Sequence, residues 1–128
     1  MSQESYGVEA PDLAGGWQVE HYPVSHLVVV AATGEVDAQT APLLTAAIRE
    51  ARGAAPEAGV IVDLSRVDFL ASAGVTAILT TRHQVPPSTP FGVVADGAAL
   101  RSMTVLGLAS VIRLYRTVDE ALTDTERG

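Results

Sequence analysis

A single serine stands where a buried strand gives way to a helix, and it is the first side chain in this sequence that could do chemistry. The stretch Val60 to Leu79 reads V-I-V-D-L-S-R-V-D-F-L-A-S-A-G-V-T-A-I-L, and Ser72 lies just before its helical half. A hydroxyl at a helix N-terminus meets free backbone N–H groups and the positive end of the helix dipole. Ser72 is therefore predicted to lie at or beside a helix N-cap, in a position that favours a negative group.

Catalysis by this serine would need a neighbouring base, and the candidates are His21, His26 and His83, none of them in a recognisable motif. Ala71 to Gly74 lacks the leading glycine of a G-x-S-x-G nucleophile elbow. The sequence has no G-x-x-x-x-G-K phosphate loop, no paired metal-ligand spacing and no cysteine. We therefore predict no catalytic residue, no cofactor and no metal site, and we expect the histidines on the surface. A small serine hydrolase is the third hypothesis, which requires a pocket and a histidine within hydrogen-bond reach of Ser72.

The element before Ser72 is predicted to be a buried strand. Gly59 to Val62 is a short apolar run rich in β-branched residues and without polar alternation, which is typical of a central strand. The polar segment Asp63 to Arg66 is expected to leave the sheet, with the Asp63 carboxylate binding N–H groups of the loop. The chain then returns to the core through three apolar residues: Val67, Phe69 and Leu70.

The element after Ser72 is predicted to be a helix, because Val75, Ile78 and Leu79 follow the spacing of one helix face. The other segments alternate between strand-like and helix-like patterns. Strands are predicted at residues 17–22, 27–32, 91–95 and 112–115, and helices at 40–53, at 98–106 and after the capping-box residues 117–120. This order predicts an α/β fold with an N-terminal hairpin, a mixed sheet of about five strands and about four helices packed mainly on one face.

Composition limits the classes of function open to the chain. Its 128 residues, 48% of them hydrophobic, suit one domain with one core. The formal net charge of −7 argues against nucleic acid and anionic lipid as partners. We find no basic-then-apolar leader and no apolar run of about 20 residues. We expect a soluble, cytoplasmic protein that binds neither nucleic acid nor a membrane.

Three segments together carry a resemblance to a known family. Asp63-Leu64-Ser65 is followed by Ala71-Ser72-Ala73-Gly74, and Gly34-Glu35-Val36-Asp37 lies upstream. They resemble the STAS domain, and within it the bacterial anti-sigma factor antagonists, whose hallmarks are Asp-Leu-Ser, then Asp-Ser-Ser/Thr-Gly before an apolar helix, and an upstream Gly-Glu-Leu-Asp. Residues 91–94, 106–108 and 115–122 are similar to the family's later strands and last helix. We thus expect a STAS domain at residues 17–124, between a flexible arm at 1–16 and a tail at 125–128.

The resemblance implies that Ser72 is phosphorylated. In the antagonist family the matching serine is phosphorylated by the anti-sigma factor, which is itself a serine/threonine protein kinase, and phosphorylation breaks the complex. The chain is then expected to bind such a kinase and so free a sigma factor, with no cofactor of its own. Ala71 stands where the family has an acidic residue and Ala73 where it has Ser or Thr, so two polar groups are missing from the expected partner surface.

The resemblance also implies which residues contact the partner: Asp37, Ala71, Ser72, Ala73, Gly74, Val75 and Thr76. Residue chemistry alone leaves other roles open, because Asp37 could bind an amide of its own turn and Gly74 could simply allow a tight helix start. Thr76 is a secondary candidate for phosphorylation. A second hypothesis is a STAS subunit of another assembly, such as a lipid-transport ATPase complex or a stress-signalling scaffold, docking through the same surface. A homodimer also stays open.

Overall fold

The fold is built on a five-stranded sheet in the order β1-β2-β3-β4-β5. The structure, a computed structural model, describes residues 16–126. The strands are β1 Gln18–Val24, β2 Leu27–Val36, β3 Gly59–Leu70, β4 Phe91–Val94 and β5 Arg113–Tyr115. The helices are α1 Ala41–Ala54, α2 Ser72–Gln84, α3 Gly97–Val105 and α4 Val118–Glu126, with a short 3-10 helix at Leu108–Ser110. The flexible arm predicted for residues 1–16 lies outside the described residues except for Gly16, as do the last two residues of the predicted tail.

The pairing of the strands follows from the lengths of their connections. β1 and β2 are joined by the turn Ser25-His26 and pair antiparallel, with Val24 opposite Leu27. Ser25 takes a φ of 56°, the left-handed conformation that such tight hairpins need. Each later pair of strands is separated by a helix and is parallel, as a crossover connection requires. The predicted mixed sheet with an N-terminal hairpin is confirmed.

β3 is much longer than the strand predicted from the sequence. The polar segment Asp63 to Arg66, which was expected to leave the sheet, stays paired with β2, and the pairing continues to Leu70 opposite Val36. The prediction of an exit from the sheet at Asp63 is therefore wrong. The Asp63 carboxylate does bind a backbone N–H as predicted, since its Oδ1 accepts from Ser65 at 2.9 Å.

Two β-bulges explain why this half of β3 did not look like a strand. The register with β2 shifts after the pair Ala31–Asp63 and again after Gly34–Val67, and each shift leaves one extra residue on β3. An extra residue changes the inward spacing from two to three. The buried residues accordingly follow one another at intervals of three: Leu64, Val67 and Leu70.

The sheet buries apolar side chains on both of its faces. The larger cluster lies under α1, α2 and α3 and includes Leu44, Ile78 and Met103. The smaller cluster lies under α4, where Ala121 packs against side chains of β2, β3, β4 and β5. Three helices on one face and one on the other agree with the prediction of helices packed mainly on one face.

Two residues lie on the opposite side of the surface from their predicted positions. Phe69 was expected in the core, but its side chain is 51% exposed, because the second bulge turns it outward. His21 was expected at the surface, but it is buried, because it follows Trp17 and Val19 on the inward face of β1. Its Nε2 faces α1 and lies 3.8 Å from Glu50 Oε1.

Candidate functional site

The site forms where β2 and β3 end side by side. These strands are parallel and Val36 is paired with Leu70, so the residues that follow them leave the sheet at the same edge. The Ala71 N–H donates to the Val36 carbonyl at 2.8 Å and fixes the two exits to each other. The Asp37 loop and the start of α2 are therefore neighbours, which agrees with the shared surface that the family resemblance implied.

Ser72 is the first residue of α2, and Ala71 is its N-cap in an extended conformation. Ser72 thus lies beside the cap, which is one of the two positions predicted for it. Its side chain is exposed, and the hydroxyl makes no hydrogen bond within residues 16–126. The hydroxyl is therefore accessible from solvent.

The start of α2 is electrostatically suited to a negative group. The Gly74 and Val75 N–H groups donate to the Ala71 carbonyl at 2.9 and 3.2 Å. The N–H groups of Ser72 and Ala73 have no backbone acceptor in the described part of the chain, and the first turn carries no acidic side chain. Free N–H groups and the positive end of the helix dipole together favour an anion at this end.

Gly74 lets α2 begin directly against the strand ends. A Cβ at this position would lie 2.5 Å from Val36 Cγ1 and 2.7 Å from Leu70 Cδ1, closer than such atoms can approach. Gly74 and Val75 are both buried. They lie buried between the exposed residues Ser72 and Thr76, and the partner contact expected of them stays a prediction.

The Asp37 loop is held by its own carboxylate. Asp37 Oδ1 accepts the N–H groups of Gln39 at 2.9 Å and Thr40 at 3.0 Å. Thr40 Oγ1 donates to the Glu35 carbonyl at 2.7 Å and accepts the Asp37 N–H at 3.0 Å. These donors, the Thr40 N–H above all, lower the pKa of Asp37. Asp37 therefore plays the turn role left open above, while its side chain remains partly exposed.

One exposed aromatic residue joins this edge and was missed by the sequence reasoning. Phe69 precedes Leu70 and is paired with Glu35 on β2, so it lies next to both strand ends. Beyond Leu70, the C-terminal end of α3 exposes Val105 and Leu106 beside a shallow cavity of 310 Å³. The side on which Phe69 lies could not be predicted from spacing, because bulges interrupt the alternation of a strand. The signal that could have indicated its exposure was its position just before the Ala71 to Gly74 motif. We call the accessible residues of this edge the Ser72 surface: Asp37, Phe69, Ala71, Ser72, Ala73 and Thr76.

The three histidines make contacts away from Ser72. His26 Nε2 lies 2.8 Å from Thr125 Oγ1, and His83 Nδ1 lies 2.9 Å from the Leu79 carbonyl oxygen. His21 is buried opposite α1. None of them hydrogen-bonds to Ser72 within residues 16–126, so the base required by the hydrolase hypothesis is not in place.

Two further findings bear on the kind of site this is. Among the described residues, no cluster of three or more His, Asp or Glu side chains could hold a metal ion. No helix in the same part of the chain is both long and apolar enough to cross a membrane. The Ser72 surface carries two hydroxyls, one carboxylate, free N–H groups and apolar side chains.

The fold and this strand-to-helix edge define a STAS domain. The model of the STAS domain family matches residues 17–121, and the chain belongs to that family. The resemblance found in the sequence is confirmed.

Named relatives within the family are regulators. The chain is 35% identical to the anti-sigma-F factor antagonist RsfB of Mycobacterium tuberculosis over 122 residues, 94% of this chain and 97% of the relative. The crystal structure of an anti-sigma factor antagonist from Mycobacterium paratuberculosis matches with a TM-score of 0.79 at 36% identity, over 90% of this chain and 96% of that one. Phosphorylated SpoIIAA, a Bacillus cell fate determinant, shares the fold, with a TM-score of 0.61 at 20% identity over 86% of this chain and 99% of that one.

Proposed function

We propose that this protein is an anti-sigma factor antagonist that acts in the cytoplasm. It binds an anti-sigma factor through the Ser72 surface and thereby frees a sigma factor for RNA polymerase. The observation that carries the proposal is the exposed Ser72 hydroxyl on the first residue of α2, beside the Asp37 loop. The names of the two relatives at 35% and 36% identity support the same role.

The proposed partner is a serine kinase that phosphorylates Ser72. A kinase needs an acceptor hydroxyl that it can reach, and Ser72 is exposed with no hydrogen-bond partner in the described part of the chain. The product phosphate would carry a charge of about −1.5 to −2. The free domain accommodates that charge at the unpaired N–H groups of α2, so phosphorylation leaves the fold intact.

The same charge disrupts the complex. A partner packed against the Ser72 surface must desolvate whatever lies there, and a desolvated phosphate without new donors is strongly unfavourable. Ala71 and Ala73 are half-buried and apolar at the two positions that flank the serine. The immediate surroundings of Ser72 are therefore easy to desolvate in the unmodified protein, and the phosphate would add a large charge there.

The decisive experiment combines binding and modification. Anti-sigma factors from the same organism are tested for binding by calorimetry, and each binder is then incubated with Mg-ATP and the product examined by intact mass. We expect one phosphate on the wild-type protein, its loss in Ser72→Ala and its retention in Ser65→Ala, which removes another exposed serine from β3. The phosphorylated protein should no longer bind.

Each result has a distinct meaning. If the protein binds an anti-sigma factor and displaces a sigma factor but no phosphate is transferred, the antagonist role is supported and the proposal of a kinase partner is refuted. If Ser72→Ala is still phosphorylated, another residue is the acceptor. Thr76 would be tested first, because it is exposed one turn further along α2. No binding to any anti-sigma factor would refute the antagonist role and favour docking in another STAS assembly.

A further inference from the structure

A second concave site lies at the other end of the sheet from Ser72. It is a cavity of 610 Å³ between the C-terminal turn of α2, the turn before β4 and the 3-10 segment before β5. β3, β4 and β5 are parallel, so the starts of β4 and β5 lie opposite the edge where β3 ends. This volume falls in the range of about 300–1,000 Å³ that is usual for small-molecule sites.

Two of the arginines of this acidic protein line the cavity. The chain has a net charge of −7 and no lysine, so its cations are arginines, and Arg82 and Arg113 both line this cavity. Among the described lining residues, Asp124 carries the one carboxylate, which binds Arg113 at 2.9 Å and Tyr115 at 2.5 Å. Arg82 has no hydrogen bond or ion pair to any residue within 16–126. Its guanidinium therefore has N–H donors that are available to a ligand in the cavity.

Two hydroxyl side chains also line the cavity. Ser88 and Thr89 belong to the turn before β4, which is closed by the Thr89 N–H donating to the Pro86 carbonyl at 2.9 Å. The side-chain hydroxyls of Ser88 and Thr89 have no partner in the described part of the chain. A guanidinium together with short hydroxyls is the donor set that binds phosphate and carboxylate groups.

The lining also contains apolar side chains, of which Val111 is the accessible one. Val111 is 58% exposed, one of the few large apolar side chains that the fold leaves in solvent, and it lines the cavity with Phe91 and Ile112. A ligand that covered Val111 would gain from burying this surface. A lining that offers both polar donors and an exposed apolar side chain favours a ligand that has an anionic group and an apolar part.

We propose that this cavity binds a small organic anion, with a phosphate or carboxylate on Arg82, Ser88 and Thr89 and a compact apolar body on Val111. Arg82 and Ser72 lie near opposite ends of α2, about 15 Å apart at 1.5 Å per residue. The ligand therefore binds apart from the Ser72 surface, and the proposal does not depend on the proposed function.

Backbone amide NMR of the full chain tests this with model compounds. Phenyl phosphate and benzoate carry both parts of the ligand, whereas inorganic phosphate and benzyl alcohol carry one part each. We expect saturable shifts of the Ser88, Thr89 and Val111 amides with at least one of the two complete probes, and binding at least roughly tenfold weaker for each half. The better of the two complete probes identifies the head group.

Variants separate this site from general anion binding. Arg82→Ala should weaken the bound probe at least roughly tenfold, and Val111→Ser should weaken it while leaving inorganic phosphate unchanged. Arg49→Ala, an exposed arginine on α1, is the matched control and should bind as wild type. The proposal is overturned if neither complete probe saturates, if the shifts scatter over other arginines, or if folded Arg82→Ala binds as tightly as wild type.

Discussion

Gly74 carries a hydrogen atom where any side chain would strike the ends of β2 and β3. Because an added Cβ would lie 2.5 Å from Val36 and 2.7 Å from Leu70, Gly74→Ala forces both side chains to move. We expect a loss of about 1–3 kcal/mol in the free energy of unfolding, the usual cost of overpacking a buried position. Urea denaturation measures it.

Gly53→Ala is the matched control for this substitution. Gly53 also lies in a helix, but an added Cβ there meets no atom within 4 Å. Removing a flexible glycine from a helix should stabilise the protein by up to about 1 kcal/mol. Opposite signs at the two positions would show that the contact is responsible, and equal effects would contradict it.

Asp37 gives the protein a pH dependence of known sign. Its pKa is lowered in the folded state, so its carboxylate contributes stability above the ordinary pKa of 3.8, and that contribution is lost as the pH falls through the lower folded value. Asp37→Asn should therefore be less stable than wild type near neutral pH, and the difference should shrink at about pH 3.

Urea midpoints at the two pH values measure the effect of Asp37. Asp68→Asn is the control, because Asp68 is an exposed carboxylate on β3 that makes no hydrogen bond in the described residues. A gap between Asp37→Asn and wild type that stays constant down to low pH would mean that the hydrogen bonds of the Asp37 loop do not depend on its charge.

Residue types predicted the chemistry available at a position better than they predicted whether its side chain faces the core or the solvent. The resemblance to the STAS family placed Asp37 and Ser72 on one surface, and the parallel pairing of β2 and β3 brings them together. Phe69 and His21 were misplaced because aromatic rings and imidazoles are compatible with either side of a strand. Their orientation depends on the bulges of β3 and the alternation of β1, which are set by pairing partners elsewhere in the chain.

At the scale of elements, α2 is a helix with an uncompensated N-terminus. Its first turn has no acidic residue, whereas α4 carries Asp119 and Glu120 in its first turn. A negative charge at Ser72 should therefore stabilise the free domain. We expect Ser72→Glu to be more stable than Ser72→Gln by about 0.3–1 kcal/mol at low ionic strength, and we expect salt to reduce the difference.

The Glu and Gln variants share size and flexibility, so their comparison isolates charge. Urea denaturation at low and high salt provides the measurement. If Ser72→Glu were the less stable of the two, the free domain would resist a charge at this position. Phosphorylation would then act by disturbing the fold and not by blocking a partner.

Element type was easier to predict than element length. The start of α2 and the existence of each strand follow from local patterns, and these predictions are confirmed. The second half of β3 was missed because polar residues at Asp63, Ser65 and Arg66 have the composition of a loop. They remain in a strand because β2 supplies hydrogen-bond partners from about 30 residues away in sequence, which no local pattern encodes.

At the scale of the whole molecule, α4 closes the face of the sheet that the other helices leave open. Tyr115 at the end of β5 donates to Asp124 Oδ2 at 2.5 Å, and the same oxygen accepts from Arg113 at 2.9 Å. Together with the buried Ala121, these contacts attach the last helix to the last strand. Burial, and then the Asp124 carboxylate, raise the pKa of Tyr115 to about 12.

This attachment should weaken in strong base. A folded pKa above the ordinary 10.0 means that the protonated phenol stabilises the fold below that pH, and that the contribution is lost as the pH rises toward about 12. We expect a late phenolate absorbance step in the wild type that is missing in Tyr115→Phe. Persistence of that step in the variant would assign it to a different tyrosine.

The strands of the sheet end at different positions, and this difference bears on how such proteins diversify. β4 pairs with β3 only from Val60 to Asp63 and β1 pairs with β2 only as far as Thr33, whereas β2 and β3 stay paired to Leu70. Ser72 therefore lies beyond the five-stranded part of the sheet, at the end of a two-stranded projection. Changes at exposed positions of the projection, such as Asp68 and Phe69, leave that part untouched. If partners bind at this end, as proposed, a duplicated gene can acquire a different partner at little cost in folding, and a handful of substitutions here can insulate paralogues in one cell from crosstalk.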